Sequence, residues 1–223
     1  MTVLFIMKKI FLILFIFIVA CKNSSNTYQV SDFVDSASVE ASSSHVGNIH
    51  ETPSGWQDGD AVGYTPKTQA EENLVNQVQD YYGLLLNGDL KGASAFFYPD
   101  AVKQFKDLHK DVDYEKETYE FLEDLSEKMM SAKKQYDSNG ITVSHVVTDI
   151  SNKVKSGSTL LYVYKISDNL KSNLRAMHTD EDVILGISKD SGKHWTFMSF
   201  DERTPTILRY SFNEDVINKV MDY

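Results

Sequence analysis

The sequence contains a single cysteine among 223 residues, so no disulfide can form within the chain and no cysteine-rich zinc site can be built. The folded part must therefore be stabilised by packing. Basic side chains are also scarce, because 22 Lys and Arg stand against 32 Asp and Glu and give a formal net charge of −10. With no basic stripe anywhere, we expect no nucleic-acid partner and little electrostatic attraction to an anionic membrane.

Motifs that hold metals, phosphates and nucleophiles are missing as well. The six histidines show neither His-x-His nor His-x-x-x-His spacing, so we predict no metal site. The chain also lacks a Gly-rich phosphate loop and a G-x-S-x-G nucleophile motif. We accordingly expect no cofactor and assign no catalytic residue from the sequence.

The N-terminal segment is not expected to belong to the folded core. Lys8 and Lys9 precede an unbroken apolar run over 10–20, which is about half of the roughly 20 residues that a membrane-spanning helix needs. This is the length of the hydrophobic region of a signal peptide. Met7 is the better start, because it places the two lysines in the charged region. We predict a signal peptide over residues 1–20.

The apolar run ends in Ile18-Val19-Ala20-Cys21, which resembles the lipobox of bacterial lipoproteins. The resemblance implies that Cys21 carries acyl chains such as palmitate, becomes the first mature residue and anchors the protein to a membrane that it does not span. It also implies a bacterial cell envelope. Lys22 stands where an aspartate would signal retention in the inner membrane, so an outer-membrane location is favoured.

Two other interpretations of this segment stay open. In the first, the apolar run is a signal anchor and Cys21 is a buried free thiol of the folded protein. The second is cleavage by the general signal peptidase, which would need an Ala-x-Ala-like site, and none is present.

Residues 21–66 are rich in Ser, Asn, Asp and Gly and show no sustained hydrophobic period. We predict that they form a flexible tether, which holds the folded part clear of the lipid headgroups. Two aromatic residues near the end of this segment, Trp56 and Tyr64, either dock on the folded domain or are exposed in the linker.

Residues 67–223 are predicted to form one domain, since the 42% hydrophobic content of the chain suffices for one core of ordinary size. Thr68 to Glu71 fit a capping box that starts the first helix, and Asp89 and Pro99 start the next two. The helical periods predict helices over about 68–87, 89–97, 99–110 and 113–136.

Beyond Gly140 the period of the apolar residues changes from 3.6 to 2, and short β-branched and aromatic segments are separated by turn signals. The predicted strands cover 141–150, 158–166, 172–179, 182–188, 194–200 and 206–212. A short helix over 213–220 follows them. Helices followed by strands are typical of an α+β domain, here with N-terminal helices packed on a curved antiparallel sheet.

The segment QVQDYYGLLLNGDLKGASAFFYPDAVKQF, residues 77–105, resembles the first helices of the NTF2-like (cystatin-like, SnoaL-like) superfamily. There a helix is followed by an Asn-Gly-Asp turn and by a short helix that ends in an aromatic pair and a proline. Through the order of the elements, the resemblance extends over roughly 68–212. It implies that the helices close one face of a bent sheet and leave a conical cavity, which is an active site in some members and a binding site in others.

Residues 188–195, SKDSGKHW, fit the Asp-box pattern S-x-D-x-G-x-x-W of sialidases and other β-propellers. In those proteins the box is a hairpin turn with the Trp packed beneath it, away from the active site. A propeller needs several repeats and this chain has one copy. We therefore predict a single hairpin that pairs 183–187 with 195–200, and no sialidase activity.

The resemblance to the cone-shaped fold indicates these candidate pocket residues: Tyr82, or its neighbour Tyr81, on the first helix, and His145, Tyr162, Tyr164 and His178 on strands. A carbon-acid isomerase in such a cavity would need a carboxylate base with a raised pKa. Asp149 comes nearest, because it shares strand parity with His145, yet it lies at a strand end. The plainer interpretation is that the tyrosines are sheet residues and the histidines are hydrogen-bonded or solvated.

Three functions follow from these features, in order of preference. The first is a lipid-anchored, non-catalytic module that binds a small molecule or a protein partner in its cone. The second is a cavity enzyme of the isomerase or hydrolase type, which the family resemblance alone supports. The third is an immunity-like protein whose negative charge suits a basic partner.

Overall fold

A computed structural model of the protein describes residues 56–108, 110, 113–173, 176–179 and 181–223. The predicted signal peptide, Cys21 and the tether as far as residue 55 lie outside the described residues. Within them the fold is α+β, with helices packed on a curved antiparallel sheet, as the order of the predicted elements indicates. None of the described helices combines the length and the apolar character that crossing a membrane requires.

The helices are α1 (Gln69–Leu86), α2 (Leu90–Ser94), α3 (Pro99–Leu108), α4 (Tyr114–Ser138), α5 (Thr204–Leu208) and α6 (Glu214–Met221). The strands are β1 (Trp56–Asp58), β2 (Thr142–Ser156), β3 (Thr159–Lys171), β4 (Ala176–Thr179), β5 (Asp182–Ser188) and β6 (Thr196–Ser199). The helices α1 to α4 thus precede the long strands β2 and β3, as predicted, and α5 and α6 follow the sheet.

The predicted helix starts at Thr68, Asp89 and Asn213 are confirmed, because each is specified by a polar side chain within one turn. The Thr68 hydroxyl accepts a hydrogen bond from the Glu71 N–H at 3.3 Å and begins α1. The Asp89 carboxylate accepts from the Gly92 N–H at 2.9 Å and begins α2. The Asn213 side chain does the same for α6. Local capping chemistry therefore determines where these helices begin.

The sheet is built around β3. Along one edge β3 pairs with β2, and along the other it pairs first with β5 and then with β4. The short strands β1 and β6 extend the sheet beyond β4 and β5. The register of β2 against β3 shifts between Val147 and Asp149 and again between Ile150 and Asn152. Such bulges bend a strand and increase its local twist, which accounts for the curvature of the sheet.

Both faces of the sheet are covered, whereas the sequence predicted helices on one face. The first face carries the even-numbered residues of β3, among them Tyr162 and Tyr164, and packs against α1, α2 and α4. The second face carries Leu161 and Val163 and packs against apolar residues of α5 and α6. Alternate residues of a strand point to opposite faces, so β3 must be apolar along most of its length to serve both cores.

Residues 56–67, which we call the strap, cross the second face from one edge of the sheet to the other. At one edge β1 pairs with β4, and the Gly59 N–H donates to the Ala176 carbonyl at 2.8 Å. In the middle the Ala61 N–H donates to the Asn169 side chain at 2.9 Å. At the other edge the Tyr64 N–H donates to the Val147 carbonyl at 2.7 Å. The folded domain therefore includes residues 56–66, which the sequence assigned to the tether.

The predicted strand over 206–212 is wrong, because this region contains the helix α5. Pro205 lies in its first turn, where the missing N–H of a proline costs no hydrogen bond. Ile207 and Leu208 are adjacent and both pack on the second face of the sheet. A strand would have placed them on opposite sides.

The Asp-box hairpin forms as predicted and joins β5 to β6. The Asp190 carboxylate accepts hydrogen bonds from the backbone N–H groups of His194 at 2.9 Å and Lys193 at 3.1 Å. The His194 N–H, more than any other group, holds the pKa of Asp190 well below its usual range. Trp195 is buried under the turn and donates from Nε1 to the Gly192 carbonyl at 3.2 Å.

Replacing Gly192 with alanine is expected to lower the free energy of unfolding by about 3 kcal/mol, through overpacking and backbone strain together. Gly192 has φ +88°, and an added Cβ would lie 2.8 Å from the Ala70 Cα on the backbone of α1. Gly157 is the matched control, because it has φ +62° with nothing within 4 Å of the added Cβ. G157A should cost only about 1 kcal/mol. Urea unfolding measures both, and equal losses would contradict this account of the α1 contact.

Candidate functional site

The middle of the first face is filled by aromatic side chains. Tyr81, Tyr164 and Phe197 are 4%, 2% and 1% exposed. The Phe197 ring lies edge-on to the ring of Tyr164 at 6.0 Å and to that of Tyr81 at 6.5 Å. Burial raises the pKa of both tyrosines far above neutral pH, so they stay uncharged. A ligand at this position would have to displace a packed aromatic cluster.

Two other predicted pocket residues, Tyr162 and His178, lie on opposite faces of the sheet. Tyr162 projects from the first face and packs against Trp195, with ring centroids 4.9 Å apart. His178 pairs with Asn169 across the strands, which places it on the second face of the sheet. Its Nδ1 lies 3.0 Å from the Gly59 carbonyl in the strap. The candidate residues therefore do not form a single site.

Tyr82 and His145 are brought into direct contact at one end of the first face. Their rings are stacked, with centroids 3.7 Å apart and an interplanar angle of 14°. Tyr82 lies on α1 and His145 on β2, and the Gln79 side chain donates a hydrogen bond to the His145 carbonyl. The α1 helix thus fixes both the backbone and the ring of this histidine.

Asp168, which sequence analysis did not single out, completes this group. It lies directly opposite His145 in the β2–β3 ladder, and its Oδ1 is 2.6 Å from the His145 Nδ1. Its own backbone N–H donates to the Thr179 hydroxyl at 2.9 Å. The sequence predicted that β3 ends at Ile166, so Asp168 was assigned to a loop. A predicted strand that extended to Asp168 would have placed this residue opposite His145 through the β2–β3 register alone.

We call Tyr82, His145 and Asp168 the open end of the first face. The side chains of His145 and Asp168 are 11% and 26% exposed. Among the described residues, the imidazole of His145 is hydrogen-bonded through Nδ1. A histidine held in this way has its second ring nitrogen left for another hydrogen bond.

The opposite end of the first face holds an ion pair whose carboxylate is buried. Glu71 is 2% exposed, and its Oε1 accepts from the Lys153 ammonium at 2.7 Å. Its Oε2 accepts from the Tyr64 hydroxyl at 3.0 Å and from the Lys67 N–H at 2.6 Å. Glu71 therefore ties together the strap, the start of α1 and β2.

Burial acts to raise the pKa of Glu71, but the hydrogen bonds from Lys153, Lys67 and Tyr64 outweigh it and lower the pKa to about 2. Glu71 is thus a buried carboxylate within reach of a tyrosine, the arrangement that a cavity enzyme would require. With so low a pKa, however, it is a poor proton acceptor. Its role is to hold segments of the fold together.

The Asp149 side chain does not lie on the first face, although Asp149 is an even number of residues from His145 along the strand. It pairs with Lys165 on the second face, because the bulge after Val147 inserts an extra residue and reverses the alternation. Among the described parts of the chain, no group of three or more His, Cys, Asp or Glu residues is placed to hold a metal ion.

No protein-family model matches the chain, and comparisons with curated proteins and with solved structures find no match either. Inferences about the open end therefore depend on its own geometry.

Removing the buried carboxylate in E71Q should abolish the acid sensitivity that Glu71 confers. A group with a folded pKa of about 2, against a usual value of 4.5, stabilises the fold above pH 4.5 and loses this contribution as the pH falls toward 2. The shift corresponds to about 3 kcal/mol. Unfolding free energies measured from pH 6 to pH 2 should fall by that much more in the wild type than in E71Q.

The matched control for this comparison is E72Q, which changes the exposed neighbouring residue on the same helical turn. Its pH dependence should follow that of the wild type. If the unfolding free energies of the wild type and E71Q depend on pH in the same way, these contacts do not lower the pKa of Glu71.

Proposed function

We propose that this protein is a lipid-anchored lipoprotein of a bacterial cell envelope, favoured in the outer membrane, whose folded domain binds a ligand without transforming it. The anchor is Cys21, supported by the order of charged pair, apolar run, lipobox and polar tether. The tether is supported by its composition as far as residue 55. The strap then carries the chain onto the domain.

We further propose that the domain is a member of the NTF2-like superfamily. Support comes from the element order, in which α1, the turn at Asn87 to Asp89, α2, α3 and α4 are followed by an antiparallel sheet. Two features depart from an open cone, namely the aromatic packing at the middle of the first face and the α5–α6 layer on the second face.

The observation that carries the binding proposal is the contrast between the filled middle and the open end. Tyr81, Tyr164 and Phe197 leave a ligand no place at the centre without displacing them. At the open end a largely buried imidazole is oriented by a carboxylate and a stacked tyrosine, and the carboxylate of Asp168 is 26% exposed. Few convergent polar groups in apolar surroundings are typical of ligand sites.

The C21S variant is expected to lose both lipid incorporation and membrane association, because Cys21 is the one thiol in the chain. Labelling with radioactive palmitate in a bacterial host, followed by detergent-phase partition, measures both. The S24A variant is the control and should behave like the wild type. Continued labelling of C21S, or its retention in the membrane fraction, would contradict the anchor.

An enzyme is the second candidate, and the pairing of His145 with Asp168 is the observation that favours it, since a carboxylate-oriented imidazole can act as a general base. Hydrolysis of 4-nitrophenyl acetate by water detects such a base. Under the binding proposal, the wild type and H145Q hydrolyse the ester at rates within about twofold of each other. H194Q controls for an exposed imidazole elsewhere. A rate that falls tenfold in H145Q alone would favour the enzyme.

A further inference from the structure

The strap changes character along its length. Residues 56–63, which we call the arm, come before Tyr64. Within 57–63, Ala61 is half-buried and the other six residues are exposed. Tyr64, by contrast, packs against the apolar cluster of the first face, and its hydroxyl donates to the buried Glu71. The arm therefore lies on the surface of the domain, whereas Tyr64 is joined to its core.

The arm is attached to the sheet through hydrogen bonds and an exposed ion pair. The Gly59 N–H donates to the Ala176 carbonyl, and the Ala61 N–H donates to the Asn169 side chain. The Asp60 carboxylate lies 2.7 Å from the Lys171 ammonium, and these side chains are 46% and 61% exposed. Salt screens an ion pair as exposed as this one, so it adds little to stability. Water can replace each of these contacts when the arm leaves the sheet.

The surface beside the arm is largely polar as well. Asn169 and Ser167 lie on the second face and are 8% and 2% exposed. The Ser167 hydroxyl donates to the Thr179 carbonyl at 2.7 Å, a bond that does not involve the arm. Without Ala61, the Asn169 side chain can bond to water instead. Detachment exposes little apolar surface, so the hydrophobic effect, which opposes unfolding of the core, hardly opposes it.

Glu71 sets the point at which detachment stops. Its Oε2 accepts from the Tyr64 hydroxyl at 3.0 Å and from the Lys67 N–H at 2.6 Å. The Tyr64 N–H in turn donates to the Val147 carbonyl at 2.7 Å. Removing Tyr64 would deprive a buried carboxylate of one of its donors, which is costly. An opening that begins at Trp56 therefore ends before Tyr64.

We propose that the arm detaches from the second face as one unit while Tyr64 and the rest of the domain stay folded. With the arm attached, the chain enters the domain at β1, beyond β4. With the arm detached, it enters at Tyr64, beyond β2. Four strand spacings separate these points, so the entry moves by about 20 Å. In an anchored protein, a consequence that rests on the proposed function, the arm selects which edge of the sheet lies nearer the membrane.

The first test is hydrogen exchange of the full chain, resolved to single amides by NMR. Relative to their intrinsic rates, the Gly59 and Ala61 amides should exchange about a hundredfold faster than the paired amides of β3. Urea below the unfolding transition should leave these two rates unchanged, because the opening exposes little surface. The Tyr64 amide should exchange at least tenfold more slowly than either. Protection of Ala61 equal to that of β3, or exchange of Tyr64 together with Ala61, overturns the proposal.

The second test separates opening of the arm from unfolding of the domain with G157A. Gly157 lies in the β2–β3 turn with φ +62°, and alanine there is strained in the folded domain whether the arm is attached or detached. Exchange of the β3 amides, which requires unfolding, should therefore rise about fivefold, and exchange of Ala61 should not change. An equal rise at Ala61 and in β3 would show that the arm opens only when the domain unfolds, which overturns the proposal.

The matched variant within the arm is G59A. Gly59 has φ +97° with nothing within 4 Å of an added Cβ, so alanine strains the attached arm without a clash. Because detachment relieves this strain, exchange at Ala61, two residues away, should rise at least fivefold. An unchanged rate at Ala61 would show that the arm does not open as one unit and would overturn the proposal.

Such failures leave the anchored binding module intact. Failure of that function would appear instead as membrane association without Cys21 or as turnover that depends on His145, and neither result alters the exchange expected of the arm.

Discussion

The central strand β3 is buried along nearly its whole length on both faces, and the rest of the fold is arranged to cover it. Its even-numbered residues require the α1, α2 and α4 layer, and its odd-numbered residues require α5 and α6. Because aromatic side chains fill the first layer, the middle of that face is core. On the first face, the side chains of β3 are apolar or aromatic as far as Ile166, and the next residue of that face, Asp168, is 26% exposed.

The bulges in β2 decide which polar side chains share the first face with β3. Each adds a residue to β2 and reverses its alternation, so His145 and Lys153 face the helices while Asp149 faces away. Lys153 thereby reaches the buried Glu71, which would otherwise be an uncompensated charge in the core. A polar pair thus lies at each end of an apolar face, with Glu71 and Lys153 at one end and His145 and Asp168 at the other.

Features governed by local chemistry could be predicted from the sequence. The helix starts at Thr68 and Asp89 and the Asp-box turn at Asp190 depend on hydrogen bonds within a few residues, and they form as expected. Most strands follow from their period of two. The sequence predicts only that Tyr82 and His145 line the same pocket. It does not predict that their rings stack, because stacking depends on how α1 lies along β2.

Features governed by distant pairing could not be predicted in this way. The strap over 56–67 is polar and aperiodic, and its order comes from hydrogen bonds to Asn169 and to the strand edges far along the chain. Bulges leave no clear mark on the apolar pattern, so the parity of Asp149 was misjudged. Asp168 was missed because β3 extends past its last hydrophobic run.

The proposed function requires that the open end binds the ligand while the middle of the first face is packed core. The most direct measurement is a high-resolution crystal structure of the protein purified from membranes of its native host. We expect density for a small molecule beside Tyr82 and His145, with Tyr81, Tyr164 and Phe197 in mutual contact. Density at the centre of the face, with Tyr164 displaced, would contradict it.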